Sequence, residues 1–237
     1  GDTRPWTQRF QEVTGQTKPT YPPAMALLSN DGSYLATSFR GRPVYVFDMT
    51  TSSPLRACYR HDTMAREYAV DGMAFNRNRD VLIVSYGDGE LVVYDVCTAE
   101  LCYRRQYIHA HTLACSRDGR ILVTGSSRGT ISIFEFTWNQ GTSIALIHRI
   151  DSSEDGIRGI SFSADSLQFA DIRGSQCRVW GPEILIGGVY DDDSDSSQAR
   201  ALETTSRDAE QAAKAQITAI CSHADGRYLF CGGKMDM

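Results

Sequence analysis

The residues that could perform chemistry lie in three short stretches of the sequence. Residues 125–129 read Gly-Ser-Ser-Arg-Gly and match the G-x-S-x-G pattern of a serine nucleophile. That chemistry needs a strand, a sharp turn and a helix, whereas this stretch separates two apolar runs that predict a hairpin. His109 and His111 could share a metal ion on one side of a strand, but their neighbours supply no further ligand. We therefore predict no catalytic residue and no metal ligand here.

The third stretch is an acidic run formed by Asp191, Asp192, Asp193 and Asp195. Alternate aspartates imitate the start of a calcium loop, but the required glycine and glutamate at its sixth and twelfth positions are absent. Seven acidic residues oppose three basic ones from 191 to 214, so this segment carries most of the formal net charge of −5. We expect an acidic insertion at 191–214, with a short helix within residues 198–216, which are rich in Ala, Glu and Gln, and no cofactor.

The composition limits the classes of protein to which the chain could belong. With 41% hydrophobic residues, the chain can bury a real core. The negative net charge argues against a domain built to bind nucleic acid. Seven scattered cysteines without a C-x-x-C pair predict reduced, packed thiols. The sequence has no signal peptide pattern and no apolar run of the ~18 residues that a membrane span needs, so we expect a cytoplasmic protein.

The elements that would position these residues repeat along the chain. Five polar turns, each followed by a short apolar run, are 47, 40, 47 and 60 positions apart; they centre on Asp31, Asn78, Asp118, Asp165 and Asp225. A second apolar run follows each of the first four and ends on Phe47, Tyr94, Phe134 or Trp180. Runs rich in Val, Ile, Tyr and Phe predict strands, and a glycine before each second run predicts a tight turn. Two hairpins per period of about 40–45 residues predict one four-stranded blade of a β-propeller.

At these residues the chain resembles the WD-repeat family. Phe47-Asp48, Tyr94-Asp95 and Phe134-Glu135 stand where that family has Trp-Asp, and Trp180 keeps the tryptophan. The family's Gly-His dipeptide is missing. Blades of the family often carry an Asp six positions before the tryptophan, in a buried hydrogen-bond set, and here only Asp88 stands at that place. The resemblance therefore implies degenerate blades that are held more by aliphatic packing than by polar networks.

The predicted fold is all-β, a β-propeller of four-stranded antiparallel blades over residues 24–237, with four complete blades and a partial fifth. Residues 1–23 are expected to form a linker that leads into the propeller. We expect a fragment of a longer propeller, because four and a half blades do not close a ring. The segments from Tyr34, Ile157 and Ile217 resemble the C-terminal repeat domain of fungal NACHT-type (STAND/NLR-like) signalling proteins. This resemblance implies the sensor or scaffold domain of a larger signalling protein.

Basic residues recur in the second turn of the predicted blades, which faces the same side as the connection to the next blade. These residues are Arg40, Arg42, Arg128, Arg173 and Lys234, and the series is broken in the second blade by Asp88 and Glu90. We predict a protein-interaction or ligand-sensing module in which the basic residues bind an acidic protein partner, or dock the acidic run as an autoinhibitory lid. A propeller that binds phosphate or acidic lipid is the alternative. A propeller enzyme is disfavoured, because no histidine is paired with a carboxylate or cysteine motif.

Overall fold

The computed structural model describes residues 24–51, 56–60, 69–76, 78, 80–137, 142–151, 155–181, 185, 200–201, 216–223, 225 and 228–234. Within these residues the regular structure is β-strand, and no α-helix is present. The chain divides into two compact units, residues 1–109 and 110–237. No helix in the described part of the chain is long and apolar enough to cross a membrane.

The first unit contains two four-stranded antiparallel sheets, in which each strand pairs with the next one along the chain. Blade 1 consists of β1 (Met25–Leu28), β2 (Tyr34–Ser38), β3 (Val44–Asp48) and β4 (Arg56–Cys58). Blade 2 consists of β5 (Val70–Asn76), β6 (Val81–Tyr86), β7 (Leu91–Asp95) and β8 (Leu101–Arg105). The central strands β3 and β6 are buried along their whole length. The two blades share one apolar core, in which Val44 and Val46 pack with Leu82 and Val92.

The second unit contains two further four-stranded sheets and one two-stranded sheet. Blade 3 consists of β9 (Thr112–Cys115), β10 (Ile121–Gly125), β11 (Ile131–Thr137) and β12 (Ser143–Ile150). Blade 4 consists of β13 (Gly159–Phe162), β14 (Phe169–Arg173), β15 (Gln176–Trp180) and β16 (Arg200–Ala201), and β17 (Gln216–Ser222) pairs with β18 (Leu229–Lys234). The sequence prediction of four complete blades and a fifth with two strands is confirmed for the described residues.

The aromatic residues that end the second apolar runs lie in the third strand of each blade, as predicted. Phe47, Tyr94, Phe134 and Trp180 are all at most 3% exposed. In blade 4, the ring of Trp180 stacks on that of Phe169 with 6.0 Å between the centroids. Fully burying one aromatic side chain contributes about 1.5–3 kcal/mol to stability. Burial at these four positions therefore accounts for the aromatic residue that recurs in each period of the sequence.

The first turn of three blades is built from a serine and an aspartate two positions apart. Ser29, Ser116 and Ser163 each donate a hydrogen bond from Oγ to the following aspartate, at 2.5–2.7 Å. In blade 4, Ser166 has a φ of 62°, where blades 1 and 3 have a glycine. Its Oγ accepts hydrogen bonds from the backbone amides of residues 117 and 118 in the first turn of blade 3. The strained serine therefore ties two blades of the second unit together.

The helix expected within residues 198–216 is wrong at the three positions of this range that the structure describes, and the last of these, Gln216, begins strand β17. Arg200 and Ala201 form strand β16, which pairs with Val179 and Arg178 of β15. The edge of β15 has unpaired backbone amides and carbonyls, and a strand satisfies these groups whereas a helix cannot. Residues 202–215 and the acidic run at 191–195 lie outside the described residues, as does the linker at 1–23.

Candidate functional site: the second turns of the blades

The second turn of each blade joins the second strand to the third and carries most of the predicted binding residues. Each turn holds its glycine at a positive φ, 68° for Gly41, 88° for Gly89, 85° for Gly129 and 54° for Gly174. Glycine has no Cβ to clash in this conformation, which confirms the turn predicted at each position. The turns in blades 2 and 3 are closed by backbone hydrogen bonds from the glycine amide to the residue three positions earlier, at 2.8 and 3.2 Å.

The second turns lie beside the segments that connect the blades. In the first unit, the amide of Ile108 donates to Gly89 O at 2.8 Å. In the second unit, the amide of Ile157 donates to Ser126 O at 2.9 Å, and a side chain at Gly156 would clash with Ser127. These bonds fix the backbone of the turns, so the side chains at their tips project from rigid positions.

Three of the predicted basic residues are exposed at these tips. Arg40 and Arg42 flank Gly41 in blade 1, and Arg128 precedes Gly129 in blade 3; all three are exposed. None of them forms an ion pair with another residue that the structure describes. The turn around Arg128 is braced by Ser126 Oγ, which accepts from the amides of Arg128 and Thr130 at 3.2 and 3.0 Å. Lys234 is the last residue of β18, and its side chain lies outside the described part of the structure.

Arg173 does not belong to this exposed group. It is the last residue of β14 rather than a turn residue, and it is 2% exposed. Its Nε donates to Asp171 Oδ1 at 2.8 Å, and Asp171 Oδ2 accepts from Trp180 Nε1 at 2.6 Å. Asp171 itself is 0% exposed. Because residues two apart in a strand face the same side, a buried aspartate draws its arginine neighbour into the core.

The second turn of blade 2 carries a buried ionic network that sequence reasoning missed. Arg60, which follows β4, donates from Nε to Glu90 and from Nη2 to Asp88. Arg60 and Glu90 are 7% and 2% exposed, and the guanidinium lies 4.7 Å from the centre of the Tyr86 ring. Burial lowers the pKa of Arg60, but the two carboxylates outweigh burial and raise it. Blades were expected to be held more by aliphatic packing than by polar networks, but blades 2 and 4 also contain buried ionic networks.

The Asp at residue 88 was the only signal of this network. Its place six positions before Tyr94 is where the WD-repeat family often has a buried hydrogen-bonded aspartate, and Asp88 does bond a buried partner. That partner could not be predicted, because Arg60 lies 28 residues earlier and stands in no motif.

The stretches that resemble a catalytic or a metal-binding motif lie in turns and loops between strands. Ser127, the serine of the G-x-S-x-G match, lies in the turn between strands β10 and β11, so the helix that a nucleophile needs is not there. His109 lies in a loop at a φ of 50°, and His111 precedes β9, so the two are not on one strand. No group of three His, Cys, Asp or Glu residues that could hold a metal ion is found among the described residues.

Comparison with known proteins agrees with this architecture. The family model "WD domain, G-beta repeat" (WD40) matches residues 102–135, which run from β8 into β11. The crystal structure of the β-propeller domain of Cps50 (Swd1) from Myceliophteria thermophila is similar, with a TM-score of 0.67, over 93% of this chain and 70% of that chain. The fold is that of a β-propeller, and residues 102–135 match a WD40 repeat.

The likeness to the Cps50 propeller concerns the fold alone, since the two sequences are 16% identical. No curated protein sequence matches this chain. The WD40 match starts in the last strand of blade 2 and ends in the third strand of blade 3. The sequence repeat is thus displaced by one strand from the structural blade.

Proposed function

We propose that this WD40 propeller is a protein-interaction module whose second-turn arginines bind an acidic segment of a partner protein. WD40 propellers generally act in protein interactions and scaffolding, because their loops project from a rigid sheet framework. The observation that carries the proposal is the exposure of Arg40, Arg42 and Arg128 at hydrogen-bonded turns, without an ion pair to any described residue. The turn of blade 1 is closed by a backbone hydrogen bond from the amide of Arg42 to Phe39 O at 3.2 Å.

The physical reason is that an arginine in a fixed position is suited to a carboxylate. The guanidinium presents planar donors that match a carboxylate or phosphate with two parallel hydrogen bonds. Arg40 and Arg42 are on one turn and Arg128 on another. Each turn is a separate point of contact for an acidic side chain.

The resemblance of three segments to fungal NACHT-type signalling proteins extends the proposal. In that setting the propeller is the sensor or scaffold part of a larger signalling protein. The acidic run from Asp191 to Asp195 then competes with the acidic partner for the same arginines, as an autoinhibitory lid. A peptide with the sequence of the run is expected to displace the partner.

Charge reversal tests the proposal. Titration of the full chain with a fluorescently labelled hepta-aspartate peptide, followed by anisotropy at low ionic strength, gives the affinity. We expect Arg128→Glu and the pair Arg40→Glu with Arg42→Glu each to weaken binding by about tenfold, because an attractive contact becomes repulsive. Salt should reduce the affinity of the wild-type chain more than that of the variants.

Arg104→Glu is the matched control, because Arg104 is also exposed but lies on strand β8 rather than in a second turn. Its effect should stay within about twofold, as expected for a charge away from the contact. Equal losses in Arg104→Glu and Arg128→Glu would mean diffuse attraction and would contradict the proposal. Tighter binding to vesicles containing phosphatidylserine than to the peptide, lost in the same variants, would favour the acidic-lipid alternative instead.

A further inference from the structure

Strand β17 lies against blade 4 and is fixed to it at both ends. Near the start of the strand, the amide of Ile217 donates to Gly174 O at 3.0 Å. At its end, the amide of Ser222 donates to Ser161 Oγ at 3.1 Å, and the Ser222 hydroxyl donates to Phe162 O. The hairpin formed by β17 and β18 therefore has a fixed position on blade 4 within the second unit.

The strand registers show which side chains face each other across this contact. In blade 4, Ile172 is paired with both Gly159 and Cys177, so the three residues form a row on one face of the sheet. In the hairpin, Ile220 is paired with Cys231, so these two residues share a face. Cγ2 of Ile220 lies 2.9 Å from the position that a Cβ on Gly159 would take. The two rows therefore face each other, and each of them ends in a cysteine.

The glycine in the first row lets the hairpin approach blade 4 closely. A Cβ on Gly159 would also lie 3.1 Å from Ile172 Cδ1, so a larger residue would push the two sheets apart. The two thiols meet across this contact, where the side chains of Cys177 and Cys231 form a hydrogen bond with each other. Both cysteines are free thiols in the structure.

The two thiols differ in how easily a reagent in solution reaches them. Cys231 is exposed, whereas Cys177 is half-buried. Burial raises the pKa of the Cys177 thiol to about 12, and the neighbouring Cys231 thiol and Asp171 carboxylate add to this effect. Because the thiolate is the nucleophile in thiol–disulfide exchange, Cys231 is the residue that reacts first. Gly232 and Gly233 follow it in β18 and leave the backbone free to adjust as the two sulfurs approach.

We infer that Cys177 and Cys231 form a reversible disulfide when the chain is exposed to a low-molecular-weight disulfide such as glutathione disulfide. The Cys231 thiolate attacks the glutathione disulfide, and one glutathione leaves. The Cys177 sulfur then attacks the Cys231 sulfur and expels the second glutathione. Two S–H bonds are lost and one S–S bond forms, and the two electrons and two protons given up by the cysteines reduce one glutathione disulfide to two glutathiones.

The disulfide joins β15 to β18 and closes a loop from residue 177 to residue 231. A cross-link over a loop of this length stabilises the folded state, because it restricts the unfolded chain. The acidic insertion at 191–214 lies within the same loop in the sequence. The modification site is independent of the proposed acidic partner, because both cysteines lie in strands rather than in second turns.

The test is to treat the full chain with glutathione disulfide, to block the remaining thiols with N-ethylmaleimide, and to digest the product with trypsin without reduction. Arginine or lysine residues on both sides place the two cysteines in the separate tryptic peptides 174–178 and 228–234, each with one cysteine. In the monomer, mass spectrometry should find these peptides linked at least about tenfold more often than any other pair, because the fold raises their effective concentration. The urea midpoint of the oxidised chain should rise by about 1–2 M.

Serine variants supply the controls. Cys231→Ser and Cys177→Ser should each remove the linked peptide and the rise in the urea midpoint. Cys102→Ser is the matched control, since Cys102 is also an exposed cysteine but lies on β8 in the first unit, and it should leave both results unchanged. In the urea-unfolded chain the preference for one pair should fall to within about twofold of the others.

Three results would overturn the inference. They are equal yields of several cysteine pairs in the folded chain, a linked peptide found only in dimers, and a bond from Cys231 to Cys221 in place of Cys177. Since Cys231 is exposed, Cys231→Ser is expected to fold and to decide the test if Cys177→Ser does not. Arg128→Glu should form the disulfide as the wild-type chain does, which separates this result from the fate of the arginine turns.

Discussion

Replacement of Asp171 by alanine should destabilise blade 4 strongly. Asp171 is 0% exposed and accepts hydrogen bonds from two buried side chains, Arg173 and Trp180. Removing it leaves a buried guanidinium without its carboxylate and a buried indole N–H without its acceptor. Breaking a buried ion pair by removing one partner costs about 3–5 kcal/mol. Because Arg173 has further interactions, we expect the lower end of that range, about 3 kcal/mol.

This loss is large relative to the total stability of a domain, which is about 5–15 kcal/mol. Urea unfolding followed by far-ultraviolet circular dichroism measures it directly. With a slope of about 2 kcal/mol per molar urea, the midpoint of Asp171→Ala should fall by about 1.5 M at an unchanged slope. Trp180→Phe removes the indole donor and some buried ring area, so it should cost about 1–2 kcal/mol. The two losses should not add in the double variant, because both changes break the same hydrogen bond.

The matched control is Asp151→Ala, which breaks the ion pair between Arg149 and Asp151. Those side chains are 57% and 67% exposed, so the loss should stay below about 0.5 kcal/mol. A loss of less than about 1 kcal/mol in Asp171→Ala, comparable with that of a neutral hydrogen bond, would refute the reasoning. It would mean that the buried pair adds nothing beyond what hydrophobic packing around Trp180 already supplies.

Two further predictions concern the turns. Ser166→Ala should lower the free energy of unfolding by about 1 kcal/mol, since the Oγ of Ser166 accepts hydrogen bonds from the amides of Arg117 and Asp118. Ser166→Gly should be less destabilising than Ser166→Ala by up to about 1 kcal/mol, because glycine adopts the φ of 62° without strain. Equal urea midpoints for these two variants would contradict this prediction. Burial raises the pKa of Asp48, but hydrogen bonds from the two following threonines outweigh it and lower the pKa from 3.8 to about 2. The folded state therefore gains stability from Asp48 above pH 3.8 and loses it as the pH falls towards 2. Urea midpoints should accordingly fall less steeply between about pH 4 and pH 2 for Asp48→Asn than for the wild-type chain.

The sequence was sufficient to predict the repeated elements of the fold. Spacing and alternation located the hairpins, because a two-residue period and a turn glycine are local signals. The aromatic residues that end the second apolar runs proved to be buried. The strand formed by Arg200 and Ala201 escaped prediction. The strand pairs with β15, which precedes it by about twenty residues, so the pairing leaves no signal in the neighbouring sequence. The local composition favoured a helix instead.

The exposure of the candidate binding residues was predicted in part. Arg40, Arg42 and Arg128 are exposed turn residues, as the second-turn pattern implied. Arg173 was assigned to the same group because it precedes the turn glycine, but alternation along β14 places it on the buried side with Asp171. A charged residue two positions from a strand aspartate is the signal that could have shown this.

The ionic network around Arg60 also has a consequence for how the protein is made. Arg60 follows the last strand of blade 1, yet one of its partners, Glu90, lies 30 residues further along the chain. At about 5–20 residues per second, the ribosome exposes Arg60 roughly 1.5–6 s before Glu90 is synthesised. During that interval the guanidinium lacks the carboxylate of Glu90 that it binds in the folded chain. The ion pairs that join Arg60 to the second turn of blade 2 can therefore form only after blade 2 has been synthesised.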